Sequence, residues 1–247
     1  MKIILFGYGN MGKTIEKLAL KKGHEILLKI NSENAINIKP QDLLGGDVAL
    51  EFTKPETAYK NVMLCFEANI PVVCGTTGWS DKLVVAEEYC RENHKSLFYA
   101  SNFSLGVNLF YEINILLAKL MNTQTQYDEI LIHESHHKGK LDSPSGTSIS
   151  LAGQVLSYVK RFKQWVNYKA DENVNLGSET DGELPIFSSR EEGVPGTHIV
   201  KYFSDVDEIE IVHKALNRDG FVTGAISAAE WLIDKKGVFG MKDLLKL

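Results

Sequence analysis

Lys2-Ile3-Ile4-Leu5-Phe6-Gly7-Tyr8-Gly9-Asn10-Met11-Gly12 is the stretch that decides the fold of this 247-residue chain. A short apolar strand runs straight into G-x-G-x-x-G. A helix pattern follows, with apolar Met11, Ile15, Leu18 and Ala19, closed by Gly23. Strand, glycine turn and helix in that order form the setting in which the motif binds a dinucleotide. Gly7 permits the tight turn, Gly9 lets a pyrophosphate approach the backbone, and Gly12 lets helix and strand pack closely. Tyr8, Asn10 and Met11 fill the variable positions and join them as candidate cofactor contacts. The plain alternative is a glycine turn in an α/β fold that binds nothing.

Outward from this unit, strand and helix patterns alternate through the first hundred residues. Strands are expected at Glu25–Ile30, Asp47–Phe52, Pro71–Cys74 and Ser96–Tyr99, with helices at Glu56–Asn69 and Asp81–Asn93. Such alternation implies a parallel, doubly wound sheet, which binds ligands at the carboxyl ends of its strands. The unusual sequences fall at those ends: Gly7–Gly12, Phe52-Thr53, Gly75-Thr76-Thr77 and Ala100-Ser101-Asn102-Phe103. Four such loops are harder to dismiss than one glycine motif. Trp79 follows the Gly75–Gly78 turn, where it could shield a cofactor.

The pattern changes after an apolar helix, Leu105–Met121. Strands are expected at Asp128–Glu134, Leu184–Arg190, Thr197–Phe203 and Glu208–His213, the last three joined by short loops. That spacing favours an antiparallel or mixed sheet. Polar Lys163–Gly182 reads as a loop. A helix over Gly224–Lys236 and a turn at Met241–Leu245 close the chain. The reading is a Rossmann-type domain, 1–105 with 217–247, and an inserted α+β domain, 106–216, carrying an open mixed sheet.

A formal charge of −5 argues against nucleic acid as a partner. No apolar run approaches a membrane span. Met-Lys followed at once by a strand predicts no signal peptide. Cys65, Cys74 and Cys90 are odd in number and unclustered, which suits buried thiols in a reducing cytoplasm.

The chemistry concentrates in His133-Glu134-Ser135-His136-His137-Lys138-Gly139-Lys140-Leu141-Asp142-Ser143-Pro144-Ser145-Gly146-Thr147. It reads as a charged loop between a strand, Tyr127–Ile132, and a helix, Ser148–Phe162, whose apolar positions 149, 152, 155, 156, 159 and 162 share a face. A run this polar is costly to bury unless it binds something. Ser145 and Thr147 are natural N-caps, so Gly146-Thr147 would offer N–H groups at a helix's positive end to a carboxylate or phosphate. The string H-E-x-x-H at 133–137 imitates a zinc-protease motif. That motif needs a helix, however, and here it continues a strand, so no metal is expected.

Together these residues resemble the dihydrodipicolinate reductase family over nearly the whole chain. The family's central pattern, roughly E-x-H-H-x-x-K-x-D-x-P-S-G-T, stands here without a gap from Glu134 to Thr147. Its cofactor loops correspond to the four loops above. Its C-terminal pattern corresponds to Gly196-Thr197-His198, His213-Lys214-Ala215 and Asn217-Arg218-Asp219-Gly220-Phe221.

The resemblance implies an NADH- or NADPH-dependent oxidoreductase of lysine and diaminopimelate biosynthesis. It would reduce the dicarboxylate cyclic imine dihydrodipicolinate, or its hydrated 4-hydroxy precursor, to tetrahydrodipicolinate. It implies a homotetramer built on the open sheet of the substrate domain. His136 and Lys140 would be the acid–base, proton-donating pair, His137 would contact substrate, and Gly146 and Thr147 would hold a carboxylate. Arg218 and Phe221 would complete the cofactor site.

One position departs from the NAD pattern, which places an acid at the end of the second strand. Here that place falls at Asn31-Ser32, with no acid before Glu33 and with Lys29 nearby. Asn31 is the candidate contact, and the expectation is use of both nucleotides or a preference for NADPH. The rival functions are another NAD(P)-dependent amino-acid dehydrogenase and a non-enzymatic nucleotide-binding regulator. The first needs a different acid–base set. The second sits poorly with an intact His136, Lys140, Gly146 and Thr147. Glu134 could orient a histidine or cap an amide, and Arg190 could be an ion pair in the sheet. His198 and His213 read as structural imidazoles.

Overall fold

Strands that are buried on both faces need helices on both faces, and the first sheet is of this kind. The structure, a computed structural model, describes residues 1–169, 182–217 and 219–247. The chain divides into two compact units: Met1–Asn108 with Asp219–Leu247, and Leu109–Arg218.

The first unit holds β1 (Lys2–Phe6), α1 (Asn10–Lys21), β2 (Glu25–Ile30), β3 (Val48–Glu51), α2 (Pro55–Glu67), β4 (Val72–Cys74), α3 (Ser80–Glu92) and β5 (Ser96–Tyr99). The six strands, including an edge strand from the chain's end, run β11-β5-β4-β3-β1-β2, with β11 spanning Gly237–Phe239. All pairings are parallel. The period of two sorts the core cleanly. Ile3, Leu5, Val48, Leu50, Val73 and Phe98 join one cluster, while Ile4, Phe6, Ala49, Val72, Cys74 and Leu97 join the other. The first cluster is closed by α1 and by α6 (Asp219–Leu232), the second by α2 and α3. Trp79 is 5 % exposed, inside the second cluster and edge-on to Tyr99. It is a core residue, because its indole N–H is satisfied by the Thr76 carbonyl at 2.6 Å and the ring can be buried.

The second unit begins within α4 (Leu105–Met121) and continues with β6 (Glu129–His137), α5 (Gly146–Tyr158), β7 (Gln164–Lys169), β8 (Glu183–Glu191), β9 (Thr197–Phe203) and β10 (Glu208–Lys214). Its sheet runs β10-β9-β6-β8-β7 and is mixed. β9 is antiparallel to both neighbours, whereas β6–β8 and β8–β7 are parallel. Residues of α4 and α5 cover one face over Ile130, Ile132, Leu184, Ile186, Val200 and Tyr202. Among the described residues no helix is long and apolar enough to cross a membrane.

Several expected elements shift. Strand β6 continues through His137, so the first third of the charged run is strand, because its titratable residues alternate sides as a ladder requires. Polar Lys163–Gly182 contains β7, which pairs in parallel with β8, and residues 170–181 lie outside the described residues. The helix expected from Gly224 starts at Asp219, because Val222, Ala225, Ile226 and Ala229 already form its buried face. Helix α5 begins at Gly146 and turns Ser148, Leu151, Ala152 and Val155 inward, leaving Ile149 40 % exposed. The closing turn is α7 (Met241–Leu245).

Candidate active site

In the first unit the four special loops follow the carboxyl ends of β1, β3, β4 and β5, which are neighbours in the sheet. They touch one another. The Thr53 amide donates to Thr76 Oγ1 at 2.8 Å, and the Phe52 and Phe103 rings lie 5.6 Å apart. Glu51, fully buried beneath them, accepts from Thr53 Oγ1 and from Asn61 Nδ2 at 3.2 Å. The glycines separate by role. A Cβ on Gly7, at φ +93°, would meet the Phe52 carbonyl at 2.1 Å, and one on Gly12 would meet the Gly7 carbonyl at 2.2 Å. Both are demanded by packing. At Gly9 a Cβ would meet nothing within 4 Å, so the protein itself gives no reason for glycine there. Helix α1 starts at that point with no side-chain cap and no acid in its first turn, leaving amides and dipole uncompensated. A pyrophosphate against bare backbone fits this observation.

Asn31 has its Oδ1 engaged by the Glu33 and Asn34 amides, at 2.9 and 3.1 Å. Phe221 lies half-buried in the first turn of α6. Asn102 Oδ1 accepts from the Ser104 amide, whereas Thr77 is exposed. Arg218 lies outside the described residues.

In the second unit the site is built on β6. The pleat turns Glu134 and His136 to the buried face and His133, Ser135 and His137 to the other. Four groups donate to the Glu134 carboxylate. The Ser145 amide and Ser148 Oγ reach Oε2 at 2.9 Å each, and Ser188 Oγ and the Arg190 guanidinium reach Oε1 at 2.9 and 3.3 Å. Burial alone would raise this carboxyl, but the hydrogen bonds from Ser145, Ser188 and Ser148 outweigh it and hold it below its ordinary value. The carboxylate thus anchors the N-terminus of α5. Ser145 is the N-cap and accepts from the Ser148 amide. The first turn, Gly146-Thr147, contains no acid, and a Cβ on Gly146 would meet nothing within 4 Å.

His136 is 8 % exposed, with Nδ1 3.6 Å from Glu134 Oε2 and its ring edge-on to His198 at 5.0 Å between centroids. Burial lowers its proton affinity. Glu134 works against that, and Lys140 and Arg190 add to it, so the imidazole is neutral near pH 7. His198 is pushed down to about 3, by burial first and by His136 next. With the Ser145 hydroxyl donating to Ser148 Oγ at 3.1 Å, His198 Nε2 donates to Ser145 Oγ at 3.1 Å. Lys140 follows the turn and chelates Asp142 at 2.7 and 2.8 Å. That pairing holds the Asp142 carboxyl below its ordinary value. Arg190 also donates to the Asp142 carbonyl at 2.6 Å. The Gly139 turn lies against His137, since a Cβ there would come within 3.3 Å of Nδ1.

The arrangement can bind an anion at the start of α5, present an ammonium proton from Lys140, and accept a proton at His136. It joins His136, Lys140 and the Gly146-Thr147 turn to Asp142, Ser145, Ser148, Ser188, Arg190 and His198; the sequence offered Ser145 as a cap, Arg190 as an ion pair and His198 as a structural imidazole, and gave no sign of Ser188. Arg190 and Ser188 come from β8, aligned with His136 and Glu134 by the β6–β8 register. Only the Ser145–Ser148 cap had a local signal. The H-E-x-x-H string is strand, which separates its histidines by about 13 Å. Glu134, His136 and His198 do offer ligand atoms within 4.8 Å of one another. Glu134, however, is already engaged by its four donors.

Comparison with known proteins covers both units. The family description "Dihydrodipicolinate reductase, N-terminus" matches residues 1–103, and its "C-terminus" counterpart matches residues 106–245. A 4-hydroxy-tetrahydrodipicolinate reductase of Christiangramia forsetii is 47 % identical over 247 residues, covering 99 % of this chain and 98 % of that one. Its namesake in Neisseria meningitidis is 32 % identical over 233 residues, covering 94 % and 84 %. Among solved structures, a dipicolinate-bound dihydrodipicolinate reductase from a Paenisporosarcina species superposes with a TM-score of 0.69 at 22 % identity, covering 97 % of each chain. An amine dehydrogenase from Mycobacterium smegmatis reaches 0.59 at 10 % identity, covering 96 % and 94 %, a likeness of fold.

Proposed function

The chain belongs to the dihydrodipicolinate reductase family, and on that premise we propose how its residues divide the work. The enzyme reduces dihydrodipicolinate, or its 4-hydroxy precursor, to tetrahydrodipicolinate in lysine and diaminopimelate biosynthesis, and it uses NADH or NADPH. Bound NAD(P)H supplies the hydride. The first unit holds the nucleotide, with Gly7–Gly12 on the pyrophosphate, and the second holds a small dicarboxylate.

The observation that carries the assignment is the buried His136 together with the Lys140–Asp142 pair beside the acid-free first turn of α5. Reducing a conjugated imine builds negative charge at the nitrogen and its conjugated carbon, which a proton must relieve. Lys140 Nζ gives that proton. Gly146 and Thr147 amides bind one substrate carboxylate, aided by the helix dipole, and His137 contacts the ring. A bound dianion raises the proton affinity of His136, so His136 takes up a proton as substrate enters and shares the donation. Glu134 fixes the turn on which these groups sit.

A homotetramer joined through the second sheet is part of the reading. It is supported by the exposed apolar Val212 on β10, paired to Ile199 on β9, and sedimentation would test it. Buried, unpaired Cys65, Cys74 and Cys90 suit a reducing cytoplasm.

The test is turnover, followed by loss of nicotinamide absorbance with dihydrodipicolinate made in situ. Lys140→Ala and His136→Ala each lower kcat by about a hundredfold or more while the nucleotide still binds. His137→Ala mainly raises KM. Near-full turnover in both of the first two variants would overturn the proton-donor assignment.

A further inference from the structure

A second titratable cluster lies in the first unit, beside the glycine turn. Lys29 is on β2, opposite Leu5 of β1, and the Gly7 amide donates to the Ile30 carbonyl at 2.9 Å. The carboxyl end of β2 therefore abuts the turn at Tyr8. This is where a Rossmann site meets the adenosine ribose, and where the presence or absence of a 2′-phosphate is read.

Lys29 would be the natural cation for that phosphate, yet it is engaged. Its Nζ is 2.6 Å from Glu16 Oε1, and it lies over the Tyr8 ring at 5.0 Å from the centroid. The Tyr8 hydroxyl donates to the other oxygen of Glu16. Both partners respond as a pair should. Glu16 is held below its ordinary value by Lys29 and Tyr8, and Lys29 is raised by Glu16. The loop that follows β2 is closed on itself. Asn34 Oδ1 accepts from the Asn31 amide at 2.8 Å, and Asn34 Nδ2 donates to the Lys29 carbonyl at 2.9 Å. Its first acid, Glu33, is exposed.

Building on the nucleotide reading above, we propose that Glu16 is a specificity-determining residue of the cofactor site. By neutralising Lys29 it withholds a cation from the 2′-phosphate, and the enzyme accepts NADH and NADPH with similar affinity. A 2′-phosphate near this pair meets one positive and one negative charge, whose fields nearly cancel at the distance of a ribose. Removing the negative member leaves Lys29 on Tyr8, in place and unpaired. Glu16→Gln is isosteric and keeps an acceptor for the Tyr8 hydroxyl, so the cluster's geometry is retained.

The experiment measures dissociation constants of NADH and NADPH by nicotinamide fluorescence, at low and at high ionic strength, for the unsubstituted chain, Glu16→Gln and Lys29→Met. Melting temperatures verify the fold of each. Glu16→Gln tightens NADPH about tenfold at low salt and leaves NADH within about twofold. Lys29→Met, which leaves Glu16 uncompensated, weakens NADPH several-fold and NADH little. Both effects shrink as salt rises. If the unsubstituted chain binds both nucleotides but Glu16→Gln leaves their ratio within about twofold, the proposal is overturned and the nucleotide reading stands. If it binds neither, both fall.

Discussion

Acid should loosen the second unit, and the share of one histidine in that loss can be worked out. His198 is 4 % exposed, and burial, with His136 adjacent, pushes its pKa from 6.5 to about 3. The folded state therefore resists a proton that the unfolded chain takes up freely. The stabilisation from this group is fully present above pH 6.5 and is lost as pH falls from there toward 3. At about pH 5 the unfolded imidazole is protonated some thirtyfold over its neutral form, while the folded one is scarcely protonated. The difference amounts to about 2 kcal/mol relative to pH 7.5, with a local slope of about 1.3 kcal/mol per pH unit. His133, His136 and His213 are lowered too, all chiefly by burial, so the whole unit loses more than this. The contribution of His198 is isolated by His198→Gln, whose amide can still donate to Ser145 Oγ. Urea unfolding at a series of pH values, followed through Trp165 of the second unit, gives the two slopes. The variant should lose about 2 kcal/mol less than the parent between pH 7.5 and 5. Equal slopes in the two proteins would refute the argument that His198 is held neutral by the fold.

Three further outcomes follow from the geometry. Glu134→Gln presents an amide NH₂ to groups that themselves donate. It should destabilise the second unit by roughly 2–3 kcal/mol in denaturant titrations and raise the substrate KM, because charge-assisted bonds to Ser145, Ser148, Ser188 and Arg190 are lost; unchanged unfolding would show that the network is not what holds the α5 turn. Gly7→Ala should cost roughly 2–4 kcal/mol through overlap with the Phe52 carbonyl and strain at positive φ. Gly9→Ala should instead melt like the parent while nucleotide affinity falls about tenfold or more, and retained affinity there would detach the glycine turn from the pyrophosphate.

What could be read from residues alone was what the chain encodes locally. The apolar strand ahead of Gly7-Tyr8-Gly9 and the strand–helix alternation carry their periods in adjacent residues, and they led to the parallel sheet. The run Glu134–Thr147 was legible as chemistry but not as strand. His133-Glu134-Ser135-His136-His137 alternates without an apolar side, and only the pairing with β8 and β9 shows the alternation at work. β7 was hidden for the same reason. Asn167 and Lys169 make it polar, and its place is given by its neighbour. The donors to Glu134 from β8 stand 54 and 56 residues away in sequence, where no spacing rule reaches. Lys29 was visible as a charge near the ribose site, but its pairing with Glu16 depends on the packing of α1 beside β2.

The division of the chain has a consequence for its synthesis. The second unit is continuous in sequence, whereas the first is closed only by α6 and β11 at the chain's end. Val222, Ala225, Ile226, Ala228, Ala229 and Leu232 belong to the same cluster as Ile3 and Leu5. Emerging from the ribosome, the first sheet waits with the part of one face that α6 covers still open, while the second sheet acquires all its strands. In a nascent chain every residue of the Glu134–His136–His198 cluster is therefore made before α6. The open face of β3, β4 and β5, where α6 later packs, is the surface that chaperones would meet during that interval.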